Sequence, residues 1–255
     1  MNFKISSLHV SPVKSLSFQS VKSCLIKKNV GIEEDRIYAF SRNLSKNEAN
    51  LAEIDPNQRK LINYLTLKNS PFLNRYNFKL VNENIIIIKD GNEIISMPEN
   101  DKDGLAKRLS ELEPKIPKPI YLLKNQLYPF FDTTHSEKIS NTISLINLNS
   151  IKDFVSKLGR EIEFERFRGN IYVESLDPWF ERTLIGKTLK INDLKFKVLS
   201  HIPRCSATNL KVNSEISDIN IPYYLKKIYD HMDMGIYLFP LNNGQISIED
   251  YIELN

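Results

Sequence analysis

Over the first hundred residues the apolar positions come in short runs broken by polar turns, which predicts strands rather than long helices. Phe3, Ile5, Leu8 and Val10 lead into Pro12-Val13-Lys14-Ser15. Ile37-Tyr38-Ala39-Phe40 is long enough for a buried strand. Ile85-Ile86-Ile87-Ile88 and Glu93-Ile94-Ile95 flank Asp90-Gly91, a pair suited to the positive backbone angles of a tight hairpin. An exposed isoleucine run would aggregate, so this one is expected inside.

The rhythm changes at residues 102–112. Leu105, Leu109 and Leu112 share one helical face there, with Asp101 or Asp103 as the cap. Pro114, Pro117 and Pro119 follow, and proline neither continues a helix nor sits in a central ladder. A connector and a domain boundary are expected at this point. Leu148, Ile151, Val155 and Leu158 predict a helix over 147–158, stopped by Gly159. Strands are predicted at Ile171–Val173, Leu189–Ile191 and Lys195–Val198, the last with one wet face because lysine alternates with Phe196 and Val198. A helix over roughly 221–231, a strand at Gly235–Leu238, a turn at Asn242-Asn243-Gly244 and a strand near 246–252 complete the pattern. The fold class is mostly β with a few covering helices.

Composition narrows the function classes. The chain has 255 residues, enough for one large or two modest domains. No apolar run reaches the roughly 20 residues of a membrane helix, and the start lacks a signal-peptide pattern. A cytoplasmic protein off the membrane is the expectation. Two cysteines, Cys24 and Cys205, are too few for a secreted disulfide framework, so both are read as thiols. The net charge of +4 is dispersed among 31 acidic residues, which does not point to nucleic acid. There is no Gly-rich phosphate loop, no zinc spacing among the histidines, and no Gly-x-Ser-x-Gly elbow.

Three segments could carry chemistry. His201-Ile202-Pro203-Arg204-Cys205-Ser206-Ala207-Thr208 follows a predicted strand, and Pro203 ends the ladder, so Cys205 falls on a loop. Arg204 and His201 would favour its thiolate, the form that binds a soft metal. An inert thiol is the other reading. Arg166-Phe167-Arg168-Gly169-Asn170 places two arginines on the same side if extended, able to grip an anion; a solvated edge is the alternative. Lys14-Ser15 and Asp35-Arg36 would suit a phosphate or form surface ion pairs.

Taken in order, these segments resemble the MOSC family, named for the molybdenum cofactor sulfurase C-terminal domain. The resemblance rests on Arg166–Ile171, Leu184-Ile185-Gly186-Lys187, Pro203-Arg204-Cys205 and Gly235-Ile236-Tyr237. Pro12–Ser15 and Gly31-Ile32-Glu33-Glu34-Asp35-Arg36 resemble the β-barrel domain that often precedes it. The resemblance implies an amino-terminal β-barrel-like domain over 1–120 and a MOSC β-barrel domain over 121–255. It implies that Cys205 ligates the molybdenum of a molybdenum–pterin cofactor and is the catalytic residue. Lys14, Ser15 and Arg36 would hold the phosphate, and Ser144, Arg168, Asn170, Arg204 and Thr208 would make further cofactor contacts. The mitochondrial amidoxime-reducing components and their bacterial counterparts are the similar members. They imply reduction of small N-hydroxylated or N-oxide molecules, with an external electron-donor protein because two cysteines cannot hold a four-cysteine cluster. Thr208-Asn209-Leu210-Lys211-Val212 lacks the acidic residue common in relatives after the cysteine. That departure favours the rival reading of a sulfur or cofactor carrier using Cys205. A partner-binding β-domain without metal is the third reading. Cys24 is expected to be buried and inert, and Asp132 and His135 to serve a turn or line the pocket.

Overall fold

The computed structural model describes residues 2–131 and 141–254; Asp132 and His135 lie outside them. Strand β1 (Asn2–Val10) buries Phe3, Ile5 and Leu8. It is followed by β2 (Gln19–Val21), β3 (Ser23–Lys27), β4 (Gly31–Ile32) and the wholly buried β5 (Tyr38–Phe40). Helix α1 (Lys46–Ile54) then appears where strands and turns were expected. Ser45 and Glu48 form a reciprocal capping box that satisfies its first amides. Its buried residues are only Ala49 and Ala52, so hydrophobic spacing gave little warning of it.

Strands β6 (Tyr76–Val81), β7 (Asn84–Lys89) and β8 (Asn92–Pro98) make a meander. Asp90 and Gly91 turn β7 into β8 with φ of 51° and 84°, as the hairpin reading expects. Ile85 and Ile87 are fully buried while Ile86 and Ile88 are partly covered, the alternation of a one-sided sheet. Helix α2 (Lys102–Leu112), capped by Asp101, packs on this layer, and β9 (Leu122–Lys124) pairs with β5.

In the second half come β10 (Ile143–Asn147), α3 (Leu148–Leu158), β11 (Ile171–Val173), β12 (Thr188–Ile191) and β13 (Leu194–Pro203). They are followed by α4 (Ile221–Tyr229), β14 (Asp233–Pro240), β15 (Gly244–Ser247) and β16 (Tyr251–Leu254). The single strand expected near 246–252 is two strands separated by a turn. Strands β1, β11, β10, β14, β13, β12 and β16 pair in that order, and β16 returns to β1, so the sheet closes into a barrel. Closure removes the open edges that would otherwise need covering. The barrel core includes Phe3, Ile5, Leu145, Phe196, Leu238 and Ile252.

Membership of the barrel crosses the boundary expected near residue 120. β1 sits between β11 and β16, and β3 pairs with β15, so these two strands belong physically with the second half. A second core gathers Val13, Tyr38, Phe40, Phe72, Phe78, Ile87 and Leu109, and it takes in Leu210 from the loop after Cys205. Among the described residues no helix is long and apolar enough to cross a membrane.

Gly235 shows why a small residue stands in β14. Its φ is +86°, and a Cβ there would lie 2.5 Å from the Leu145 carbonyl oxygen. Glycine lets β14 pass close to β10 in a conformation that other residues rarely adopt.

Candidate functional site

Strand β13 pairs with β14 as far as Pro203, opposite Asp233. Proline has no amide to continue the ladder. The chain is instead closed by Arg204, whose amide donates to the Met232 carbonyl at 2.8 Å. Cys205 follows with its side chain exposed. Behind it, Ser206–Asn209 form a short turn in which the Thr208 amide and hydroxyl both donate to the Cys205 carbonyl, at 3.1 and 2.8 Å. The thiol is thus presented at a strand end, on the loop position the sequence predicts.

Arg204 braces the loop from within. Its Nε donates to the Met234 carbonyl at 2.9 Å, and a terminal nitrogen donates to the Phe167 carbonyl at 2.8 Å. Burial lowers its pKa. With those donors engaged, the guanidinium ties the cysteine loop to β14 and to the segment before Arg168. His201 points elsewhere: it lies 3.2 Å from the Arg182 carbonyl and 3.8 Å from Asp233, and it does not line the cavity.

The segment Arg166–Asn170 is not extended, so its two arginines part company. Phe164–Phe167 form a tight turn, and Arg168 takes a left-handed φ of 51°. The Arg166 side chain is buried and donates to Glu163 and Asp218, both at 2.6 Å. Its charge is compensated within the protein. Arg168 donates to the Leu16 carbonyl at 2.7 Å and stacks on Phe18, 4.7 Å from the ring centre. Burial, with the nearby Arg36 charge, pulls Arg168 down to about 10.

Arg36 also has a left-handed φ, of 54°. Its guanidinium lies 3.3 Å from Asp35 and covers the rings of Phe131 and Phe18, at 4.0 and 5.0 Å. Ser15 is left-handed as well, with φ of 72°. Three non-glycine residues in this strained region at one site mark a backbone held in place by its surroundings. The Lys14 ammonium donates to the Phe131 carbonyl at 2.9 Å.

These residues meet in one cavity of about 190 Å³. Lys14, Ser15, Arg36, Ser144, Arg168, Arg204, Cys205 and Thr208 all line it. Asn170 does not. It is fully buried; its Oδ1 accepts from the Ser144 hydroxyl at 2.8 Å, and its Nδ2 donates to the His9 carbonyl and to Asp35, both at 3.1 Å. Its amide is spent inside the protein, so it positions Ser144 and Asp35 instead of touching a ligand. Arg166, Phe167, Ile202, Pro203 and Ala207 flank Arg168, Arg204 and Thr208 in the same motifs, and Leu61, Thr66, Leu67, Lys68, Phe131 and Tyr237 also line the walls. Of this last group only Tyr237 stood in a recognisable motif; the others come from segments with no local signal. Cys24 is half-buried in β3 rather than fully buried, away from the cavity, and burial followed by the Asp35 charge pushes its thiol up to about 12.

The donor set decides what could bind. Among the described residues no group of three His, Cys, Asp or Glu side chains could hold a metal ion. A bare divalent ion therefore lacks a cage of protein ligands here. A metal brought in by its own anionic organic ligand needs only one soft protein donor and a cationic cradle. Cys205 with Lys14, Arg36 and Arg168 offers that combination, and among the described residues none in the lining is acidic.

A crystal structure of the YuaD protein from Bacillus subtilis is similar over 100% of this chain and 96% of that one, at 11% identity and a TM-score of 0.46. No curated protein matches the chain. The family model described as the MOSC domain matches residues 132–253, the stretch that holds β10 to β16 and Cys205. Residues 132–253 of this chain are a MOSC domain, of a family associated with molybdenum-cofactor-binding proteins.

Proposed function

We propose that this protein holds a molybdenum–pterin cofactor through the Cys205 thiolate and reduces small N-hydroxylated or N-oxide molecules with electrons from an external donor protein. The observation that carries the reading is an exposed thiol on a cavity that, among the described residues, is lined by six basic residues and no acidic one. Bound molybdenum would supply the two-electron redox chemistry. The overall reduction takes two electrons and two protons per N–O bond and releases water.

The chain itself binds and orients. Lys14, Arg36 and Arg168 offer donors for a phosphate, and guanidinium groups suit its geometry. Phe18 and Phe131 hold two of those guanidiniums by their faces, so little side-chain entropy is lost when an anion arrives. Ser15 and Ser144 add polar contacts, Thr208 and Arg204 keep the cysteine loop in one conformation, and Asn170 holds Ser144 from behind.

The test is elemental analysis of purified wild type and Cys205→Ala from a host that makes the cofactor. Near-stoichiometric molybdenum in wild type and little in the variant is expected. Turnover of an amidoxime with an artificial reductant should then follow. Equal molybdenum in both proteins, or none in either, would sink the reading. The exposure of Cys205 also suits a carrier that passes on sulfur. In that case mass spectrometry would find one added sulfur on Cys205 without bound molybdenum.

A further inference from the structure

The cavity's cations are not equivalent. Arg36 faces Asp35, Arg166 is paired with Glu163 and Asp218, and Arg204 is taken up by carbonyls. Lys14 and Arg168 each donate to a carbonyl deep in the site. Lys68 differs. Among the described residues its ammonium has no hydrogen bond and no ion pair, although it lines the same cavity.

Lys68 stands on a turn that the structure pins at several points. The Asn69 Oδ1 accepts from the Thr66 amide at 2.9 Å and from the Ser70 hydroxyl at 2.9 Å. The Asn69 Nδ2 donates to the Tyr64 carbonyl at 3.0 Å. The amides of Asn69 and Ser70 both donate to the Thr66 carbonyl, at 3.1 and 2.7 Å. The base of the turn is fastened to β5 by the Leu65 amide on the Phe40 carbonyl, at 2.9 Å. The backbone that carries this exposed lysine is therefore fixed where it lines the cavity, and apolar Leu61 and Leu67 are in the same lining. Among the described residues no acidic side chain in the lining competes for the ammonium.

We infer that Lys68 selects, at this site, molecules with an apolar body and a carboxylate or similar anionic group. The inference rests on the reading of the Cys205 cavity as an N-reductase site. The apolar body would lie along Leu61 and Leu67, and the anion would take the place of water on the Lys68 ammonium. A neutral analogue of the same shape leaves that ammonium hydrated and forgoes the ion pair. A partly exposed pair of this kind is worth about 1 kcal/mol, or about fivefold in affinity.

Calorimetric titration of the molybdenum-loaded protein with 4-carboxybenzamidoxime and with benzamidoxime tests this. Wild type should bind the carboxylate about fivefold more tightly. Lys68→Gln should abolish the preference while molybdenum content stays at the wild-type level, and Lys68→Arg should keep it. Equal binding of the two compounds by wild type, or of neither, overturns the inference. So does a preference that survives Lys68→Gln, or a loss of molybdenum in that variant, which would assign Lys68 to the cofactor. A Lys68-dependent preference without turnover under reductant upholds the selectivity of the cavity and removes N-reduction as its chemistry.

Discussion

The barrel and the amino-terminal layer contribute to the cavity in different ways. Ser144 on β10, Tyr237 on β14 and Cys205 just past β13 are delivered by continuous ladders, where a neighbouring strand fixes each position. Leu61, Thr66, Leu67, Lys68 and Phe131 arrive on turns held by side-chain and carbonyl contacts. The barrel wall therefore carries the group that must not move, and the amino-terminal wall carries groups that can vary with the ligand. The loop after Cys205 joins the two. Arg204 ties it to the barrel, Leu210 enters the amino-terminal core, and the Asn74 Nδ2 donates to the Lys211 and Ser214 carbonyls at 2.7 and 2.8 Å.

The strongest way to break this comparison is to damage each core in turn. Phe196→Ala in the barrel and Phe78→Ala in the amino-terminal layer should each cost about 3–5 kcal/mol, since both rings are fully buried. Because the cysteine loop bridges the cores, both variants should shift one common transition in urea. Two separate transitions would show that the layers fold independently. Next comes the pair of arginines. Arg166→Ala leaves Glu163 without its partner and Asp218 with Arg160 as its main one, and should cost about 1–3 kcal/mol in thermal or chemical denaturation. Arg168→Ala removes a charge with no carboxylate hydrogen-bonded to it, so molybdenum content should fall while stability changes far less. The reverse pattern would swap their roles.

Asn74→Ala should cost about 1–3 kcal/mol, because two carbonyls of the bridging loop lose their donor. It should also lower metal retention without touching the cavity; full retention would mean the loop is held from the barrel side alone. The pH dependence of stability is a finer probe. Hydrogen bonds from Arg166 hold the Asp218 carboxyl below the usual carboxylate range. A depressed folded-state value stabilises the protein above the ordinary carboxylate pKa of about 4 and ceases to do so as pH falls through the folded value. Unfolding midpoints should drop on acidification through that window, with a shallower slope in Arg166→Gln; identical slopes would remove Asp218 from the account. The smallest effect should come from Ser45→Ala, about 1 kcal/mol from the lost cap of α1, with no change in the cavity.

Much of this was legible before any coordinates. Helix α3 ends at Gly159 in the left-handed cap its sequence announces, and the hairpin at Asp90-Gly91 has the expected backbone angles. Cys205 lies just past a strand that Pro203 terminates. Helix α1 is hard to read from sequence although Ser45 and Glu48 spell a capping box, because its buried face consists of two alanines and leaves almost no apolar rhythm. The arginines of Arg166–Asn170 would share a side only in an extended segment, and the left-handed turn at Arg168 separates them.

What the sequence determined by itself was local: helical periodicity, turn chemistry, and which residue types in which order could hold an anionic, metal-bearing ligand. Those depend on contacts a few residues apart, and the chain states them directly. The tertiary structure decided which of the candidates reach the cavity. Asn170 carries the right chemistry but spends its amide on the His9 carbonyl, Ser144 and Asp35. It also decided that β1 closes the barrel against β11 and β16, and that Lys68 comes to the same space as Cys205. Such pairings join residues more than a hundred positions apart, and their free energy comes from burial and closure that no local window of sequence contains.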